Sequence, residues 1–91
     1  MTVDGEFRNG EKHGWWTLRY DNGSKAGAGT YSNGQQQGAW TYWFQDGRPE
    51  AQGTYHNGQM HGKWIFHYGD GTTIEAEYRN GEVLSKVFVA D

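Results

Sequence analysis

Four histidines are the first candidates for chemistry in this chain: His13, His56, His61 and His67. Imidazole nitrogens bind zinc, but a structural zinc site needs a tetrahedral set of ligands. His56 and His61 flank an Asn57-Gly58 turn and can approach each other, whereas His13 and His61 hold equivalent places in a repeat and should lie far apart. The chain has no Cys and no carboxylate at ligand spacing beside these rings, so they read as turn histidines. Asp21, Asp46 and Asp70 recur beside glycines, as carboxylates do in calcium loops. Calcium takes about six to eight oxygens and each turn offers one carboxylate, so turn chemistry accounts for them. Ser24, Ser32 and Ser85 have no adjacent His with an orienting acid, and Glu75 and Glu77 read as a solvated strand face. These residues point to a non-enzymatic protein with no catalytic residue, no metal and no cofactor.

The elements that must position any working residue are repeats. Gly5-Glu6-Phe7-Arg8-Asn9-Gly10 returns as Gly29-Thr30-Tyr31-Ser32-Asn33-Gly34 and as Gly53-Thr54-Tyr55-His56-Asn57-Gly58. Each copy is followed by a Gly and a Trp at fixed offsets: Gly14 and Trp16, Gly38 and Trp40, Gly62 and Trp64, a period of 24 residues. A fixed period of this size marks stacked supersecondary units. Within each unit, two runs alternate apolar and polar residues with period 2, as half-buried strands do. Asn9-Gly10, Asn33-Gly34, Asn57-Gly58 and Asn80-Gly81 are type I′ hairpin turns, and Asn22-Gly23, Asp46-Gly47 and Asp70-Gly71 supply the other reversals.

The expected fold is all-β: a single-layer antiparallel meander of about eight strands. It is built from three 24-residue hairpin repeats at about 5–28, 29–52 and 53–75, with a partial fourth repeat and cap at 76–91, all in one domain, 1–91. Parity puts Trp16, Leu18 and Tyr20 on an inner face with Trp40, Tyr42 and Phe44, and with Trp64, Phe66 and Tyr68. The expected register sets Trp16 opposite Gly29, Gly14 opposite Tyr31, Tyr31 opposite Gln36, Gly29 opposite Gly38 and Tyr20 opposite Lys25. Gly14, Gly29, Gly38, Gly53 and Gly62 are then read as structural, leaving space for rings across the strand. The third repeat is one residue short. The reading places that deletion in its turn, a three-residue loop Gly69-Asp70-Gly71 where the earlier copy has four residues, Asp21 to Ser24. In the last strand Val83, Ser85, Val87 and Val89 are expected to face inward, with Leu84 and Phe88 outward.

The outer face should be polar if it meets only water. It carries Trp15, Arg19, Trp43, Ile65 and His67, which makes these residues the candidate partner-binding set. Composition agrees with a folded binding module. The chain has 34% hydrophobic residues, 16% aromatics and 15 Gly, and its aromatics argue against disorder. Eight scattered Lys and Arg and a net charge of −3 argue against direct nucleic-acid binding. No apolar run reaches the roughly 18 residues of a membrane span, and Met1-Thr2-Val3-Asp4 begins no signal peptide, so a cytoplasmic location is expected.

With Asn-Gly-x-x-x-Gly-x-Trp in view, followed by aromatic-x-x-Gly, the chain resembles bacterial MORN-type repeats over roughly residues 5 to 83. The closer likeness is to the MORN variant of the YwqK-like antitoxin family. That resemblance implies a hairpin scaffold without a family-wide catalytic residue, and a role in toxin neutralisation or protein scaffolding. The expected function is a protein-binding module, an antitoxin or immunity-like inhibitor of a toxin or nuclease. The alternatives are a scaffold or assembly module, a homodimer, or an aromatic-groove binder of peptide, lipid or carbohydrate.

Overall fold

The computed structural model describes residues 2–90; positions 1 and 91 of the expected domain lie outside it. It contains eight strands: β1 (Thr2–Arg8), β2 (Glu11–Arg19), β3 (Lys25–Ser32), β4 (Gln35–Trp43), β5 (Pro49–His56), β6 (Gln59–His67), β7 (Thr73–Arg79) and β8 (Glu82–Ala90). They form one open antiparallel sheet in chain order. The molecule is thin, 13 Å against 42 and 33 Å in its other directions. Among the described residues no helix is long and apolar enough to cross a membrane.

The Asn-Gly turns form because both central residues adopt positive φ: 51°, 52°, 51° and 49° at Asn9, Asn33, Asn57 and Asn80, and 80° to 87° at the following glycines. Neighbouring hairpins are also stitched together at these turns. The N–H groups of Gly34, Gly58 and Gly81 donate to the carbonyls of Lys12, Gln36 and Met60 on the preceding hairpin.

The core is three indoles, each lying flat on a glycine. Trp16, Trp40 and Trp64 are 2%, 1% and 1% exposed. A Cβ added to Gly5 would stand 2.1 Å from the Trp16 ring, one at Gly29 2.3 Å from Trp40, and one at Gly53 2.2 Å from Trp64. Each glycine therefore serves the Trp of the following strand. The expected pairing of Trp16 with Gly29 is present between β2 and β3, but the ring that covers Gly29 belongs to Trp40. Tyr rings close the stack edge-on: Tyr31 meets Trp40 at 5.3 Å and 90°, and Tyr55 meets Trp64 at 5.1 Å and 80°. Such pairs contribute about 0.5–1.5 kcal/mol beyond area burial.

The indoles reach these seats because the ladder slips. Between β3 and β4 the register changes from Gly29 opposite Trp40 to Thr30 opposite Gln37, leaving Gly38 and Ala39 over. The expected pairing of Gly29 with Gly38 is thus replaced by Gly29 with Trp40, while Tyr31 does face Gln36. A slip of two keeps every side chain on its expected face, where a slip of one would reverse them. The glycines at this bulge are conformational. Gly14, Gly38 and Gly62 have φ of 77°, 79° and 78°, and an added Cβ at Gly14 would meet nothing within 4 Å. Spare polar groups are satisfied locally. The indole Nε1 of Trp16, Trp40 and Trp64 donates to the carbonyl of Glu6, Thr30 and Thr54 at 3.1, 2.8 and 2.9 Å. The Thr30 and Thr54 hydroxyls donate to the carbonyls of Gln37 and His61.

Of the opposite turns, Gly69-Asp70-Gly71 is the expected three-residue loop, and the first differs from expectation. All three reversals are the same three-residue loop. Tyr20, Phe44 and Tyr68 donate their N–H to the carbonyls of Ser24, Arg48 and Thr72, and accept from Gly23, Gly47 and Gly71. Tyr20 therefore closes on Ser24, and Arg19, not Tyr20, pairs with Lys25. The deletion in the third repeat lies in the strand. Ala26 and Glu50 are extra residues in bulges of β3 and β5, whereas β7 runs regularly from Thr73 opposite His67 to Ile74 opposite Phe66.

The last strand corrects a face assignment. Val83 faces Tyr78 on the inner side, but the next pair is Ser85 with Glu77, so Leu84 is a one-residue bulge. Residues 85 to 88 reverse: Lys86 and Phe88 face inward opposite Ala76 and Ile74, Ser85 and Val87 face outward, and Val89, expected inward, is a second extra residue between the pairs of Phe88 with Ile74 and Ala90 with Thr73. Ser85 stands where the earlier copies have Gly14, Gly38 and Gly62. It lacks their positive φ, so the two-residue bulge does not form.

The seats define a coupling that denaturation can measure. Trp40→Ala should lose about 3–5 kcal/mol of stability. Gly29→Ala should lose about 1–3 kcal/mol through overpacking. In the Trp40→Ala background the second change should be nearly neutral, because the ring it strikes is gone. Additive losses in urea titrations would mean that Trp40 does not occupy the Gly29 seat.

Candidate functional site

Outer-face residues come from the odd partners of the buried ladder. Arg19, Trp43 and His67 occupy one repeat position on β2, β4 and β6, two strands apart, or about 9–10 Å. Ile65 lies in the central row, opposite Gln52 and Glu75. Trp15 lies toward the Asn-Gly turns and faces Thr30. All five share the face, but each is engaged by neighbours outside the set. The Trp15 indole is 60% exposed and donates to Thr17 Oγ1 at 3.2 Å. Arg19 donates to Asp4 Oδ2 at 3.3 Å and to the Gly23 carbonyl at 3.1 Å. Lys25 Nζ stands 5.8 Å from the Trp43 ring centroid. His67 Nδ1 lies 3.2 Å from Thr73 Oγ1. Ile65 lines a shallow outer groove with Ala39, Thr41, Gln52 and Lys63. The set is therefore a dispersed face with one protruding ring and one cation, Arg19, which faces Lys25 across β2 and β3.

The inner face holds a second concavity, whose lining residues the sequence reading of an aromatic groove did not specify. A groove of about 350 Å³ lies between Tyr42 and Phe44 on one side and Phe66 and Tyr68 on the other. Ala51 forms its floor, and Tyr55 and Met60 line it further. The signal was present in the repeat. Ala51 occupies the position held by Gly27 one copy earlier, and an added Cβ at Gly27 would come 2.9 Å from the Tyr42 ring. The Ala51 methyl thus fills the volume into which Tyr42 settles in the preceding copy. At one end, Gln36 Nε2 donates to the Tyr42 hydroxyl at 2.9 Å, and Tyr42 and Tyr55 share a hydrogen bond of 2.9 Å. Burial, followed by the Tyr42 hydrogen bond, pushes the Tyr55 phenol up from its ordinary range, so it remains a protonated hydroxyl at neutral pH.

His56 and His61 border the Asn57-Gly58 turn, while His13 lies in β2 and His67 ends β6. His56 and His61 do approach, with ring centroids 5.6 Å apart, and His61 Nδ1 accepts the Asn80 N–H at 3.3 Å. Gln37 Oε1 accepts the Asn57 N–H in the equivalent place, at 2.8 Å. No group of three or more His, Cys, Asp or Glu among the described residues could hold a metal ion. Asp46 and Asp70 accept the backbone N–H of Arg48 and Thr72 at 3.1 and 2.9 Å. Asn22 accepts from Ser24 in the corresponding turn at 3.0 Å.

No family model matches the chain, and no curated protein matches it. The functional reading therefore stands on residues and geometry.

The aspartate turns generate a pH prediction with an internal control. Backbone hydrogen bonds, led by the Arg48 and Thr72 N–H groups, hold the Asp46 and Asp70 carboxyls below their ordinary value. A depressed native value means the stabilisation is present above the unfolded value and is lost as pH falls through the native one. On acidification, amide exchange at Arg48 and Thr72 should lose protection relative to Ser24, whose acceptor Asn22 does not titrate. Equal behaviour of the three amides in a pH series would remove the carboxylates from this role.

Proposed function

We propose that this chain is a non-enzymatic, MORN-type hairpin-repeat module that inhibits a protein partner by surface contact, as an antitoxin or immunity protein does. The observation that carries the reading is the outer face, with the Trp15 ring standing 60% exposed on a two-dimensional lattice of short hairpins. The hairpin loops are confined to two or three residues, which favours flat-face contact over loop-borne chemistry. Trp supplies large rigid area at binding hot spots, and Arg19 and Lys25, at the other end of β2 and β3, supply polar groups for a rim. The net charge of −3 favours a basic partner, such as a nucleic-acid-directed toxin, because complementary charge speeds encounter. The resemblance of the Asn-Gly-x-x-x-Gly-x-Trp units to the YwqK-like antitoxins supports the same class of partner.

The test begins with identification of the partner from the native host and ends with one substitution. Trp15→Ala should change stability by no more than about 0.5 kcal/mol, since the ring is exposed. It should weaken the complex by about 2 kcal/mol or more in calorimetric titration. Undiminished affinity, with an exchange-protection footprint away from the outer face, would refute the assignment.

A further inference from the structure

The Asn-Gly turns are stitched to the preceding hairpins in a series whose two ends are open. The N–H groups of Gly34, Gly58 and Gly81 donate to the carbonyls of Lys12, Gln36 and Met60 at 3.0, 2.9 and 2.9 Å. Gly10 and Val83 are the remaining members of the same two repeat positions. The Gly10 N–H donates to no acceptor among the described residues. Val83 lies on β8, which has no neighbour on its far side among the described residues. One edge of the sheet thus offers the donor of this bond and the other edge offers the acceptor. The edges are also the most apolar exposed parts of the molecule. Seven of the nine large apolar side chains exposed among the described residues lie there, two on β1 and five on β8. Solitary edge strands are commonly guarded by charge or proline, yet the run from Leu84 to Ala90 has one charge, Lys86, and no proline.

We propose that β8 of one copy of this chain pairs with β1 of a second copy, antiparallel and head to tail, with the Gly10 N–H of the second copy donating to the Val83 carbonyl. The inference does not depend on the inhibitor reading, and it leaves Trp15 outside the seam. Strand phase fits it. β8 holds the place of β2, β4 and β6 in its unit, and β1 holds that of β3, β5 and β7, so the seam repeats a junction already made three times. A two-fold pairing of β8 with β8 would set two first strands together and leave Gly10 unused in both copies.

The backbone groups fit as well. In an antiparallel ladder successive residues turn their N–H and C=O to opposite neighbours. Lys12, opposite Phe7, turns its carbonyl away from β1 to the next hairpin, and Val83, opposite Tyr78, is its counterpart. Counted on through the Leu84 bulge, Lys86 and Phe88 also turn to the open edge. On β1, Glu6 turns to β2, where its carbonyl accepts the Trp16 indole, so Gly5 and Phe7 turn to the other edge. Setting Val83 beside the Asn9-Gly10 turn then brings Lys86 opposite Phe7 and Phe88 opposite Gly5, all on the inner face. Phe88 across from Gly5 repeats Trp16 across from Gly29. A lysine beside a ring has its precedent in Lys12, whose Nζ stands 5.1 Å from the Tyr31 centroid. On the outer face Val87 meets Glu6.

Sedimentation velocity over a concentration series tests the full chain, and self-association that rises with concentration is expected. Val87→Glu sets like charges opposite each other at the seam and should weaken association about tenfold or more. Adding Glu6→Lys to the same chain makes that pair attractive and should restore association to within about threefold. Both side chains are exposed, so the fold tolerates the changes. Trp15→Ala should leave association unchanged. A monomer at every concentration up to millimolar, indifference to Val87→Glu, or failure of Glu6→Lys to rescue would each overturn the proposal. Pairing of β1 with β1 would give the second of these outcomes, and pairing of β8 with β8 the third. The unmodified protein supplies a check that needs no variant. Exchange of the Gly10 amide should slow as concentration rises, toward that of Gly34, Gly58 and Gly81. A Gly10 amide that exchanges no more slowly while the protein associates would equally overturn the seam, and this measurement decides the matter should Val87→Glu fail to fold.

Discussion

An indole laid flat on a glycine is the constraint from which the rest of this sheet follows. A single layer has no second sheet or helix to cover its apolar face, so its core must be made within the layer. A flat ring against a bare backbone achieves this: Trp40 is 1% exposed in a molecule 13 Å thin. The geometry has a backbone requirement. Trp40 can stand directly across from Gly29 only if β4 gains two residues on β3, and that gain is absorbed at Gly38, with its φ of 79°. The displaced carbonyls then need donors, and the Trp40 Nε1 and the Thr30 hydroxyl supply them. The Gly-Thr-Tyr, Asn-Gly, Gly and Trp of each copy are thus one device. Seat, clamp, edge-on ring, turn, bulge and lid each need the others in place.

Because the device is closed, changing one member has a local and readable effect. In β8 a serine stands at the bulge position, the φ stays negative, and a single residue, Leu84, is extruded there in place of two. A single extra residue reverses the strand, so the inner row ends on Lys86 and Phe88 rather than on another seated ring. Across β5, replacement of the Gly27 counterpart by Ala51 keeps the register and removes a seat. The first change alters which face a strand shows; the second alters how deep the face is.

The sequence carried the strand order, the Asn-Gly turns and the inner face of Trp16, Trp40 and Trp64, because period-2 alternation and turn chemistry are local signals. It also carried the outer-face membership of Trp15, Arg19, Trp43, Ile65 and His67. It did not carry the register at the bulges. Gly29 opposite Gly38 and Gly29 opposite Trp40 have the same parity, and alternation cannot separate them. The same blindness hid the deletion in the third repeat. Omitting a bulge residue such as Ala26 and omitting a loop residue both yield 23 positions between Tyr55 and Tyr78. The difference appears only in hydrogen bonds, which show the Tyr20, Phe44 and Tyr68 loops to be alike. The inner groove entered the sequence reading only as the aromatic-groove alternative, because alternation places rings on a face without showing how deeply they are covered, and Tyr42 and Phe66 are half-buried.

The two ranks of aromatics therefore have different physical positions. Trp16, Trp40 and Trp64 have their N–H groups committed to backbone carbonyls and their faces committed to glycines. Little of them is left to meet a ligand. Tyr42 and Phe66 stack beyond them, 5.9 Å from Trp40 and 6.0 Å from Trp64 at 26° and 19°, with their outer edges in solvent. The rigidity of the first rank fixes the spacing of the second, since each Tyr or Phe follows its Trp by two residues on the same strand. The sheet therefore presents, about Ala51, two aromatic walls whose separation follows from strand spacing, since Tyr42 and Phe66 both lie opposite that residue.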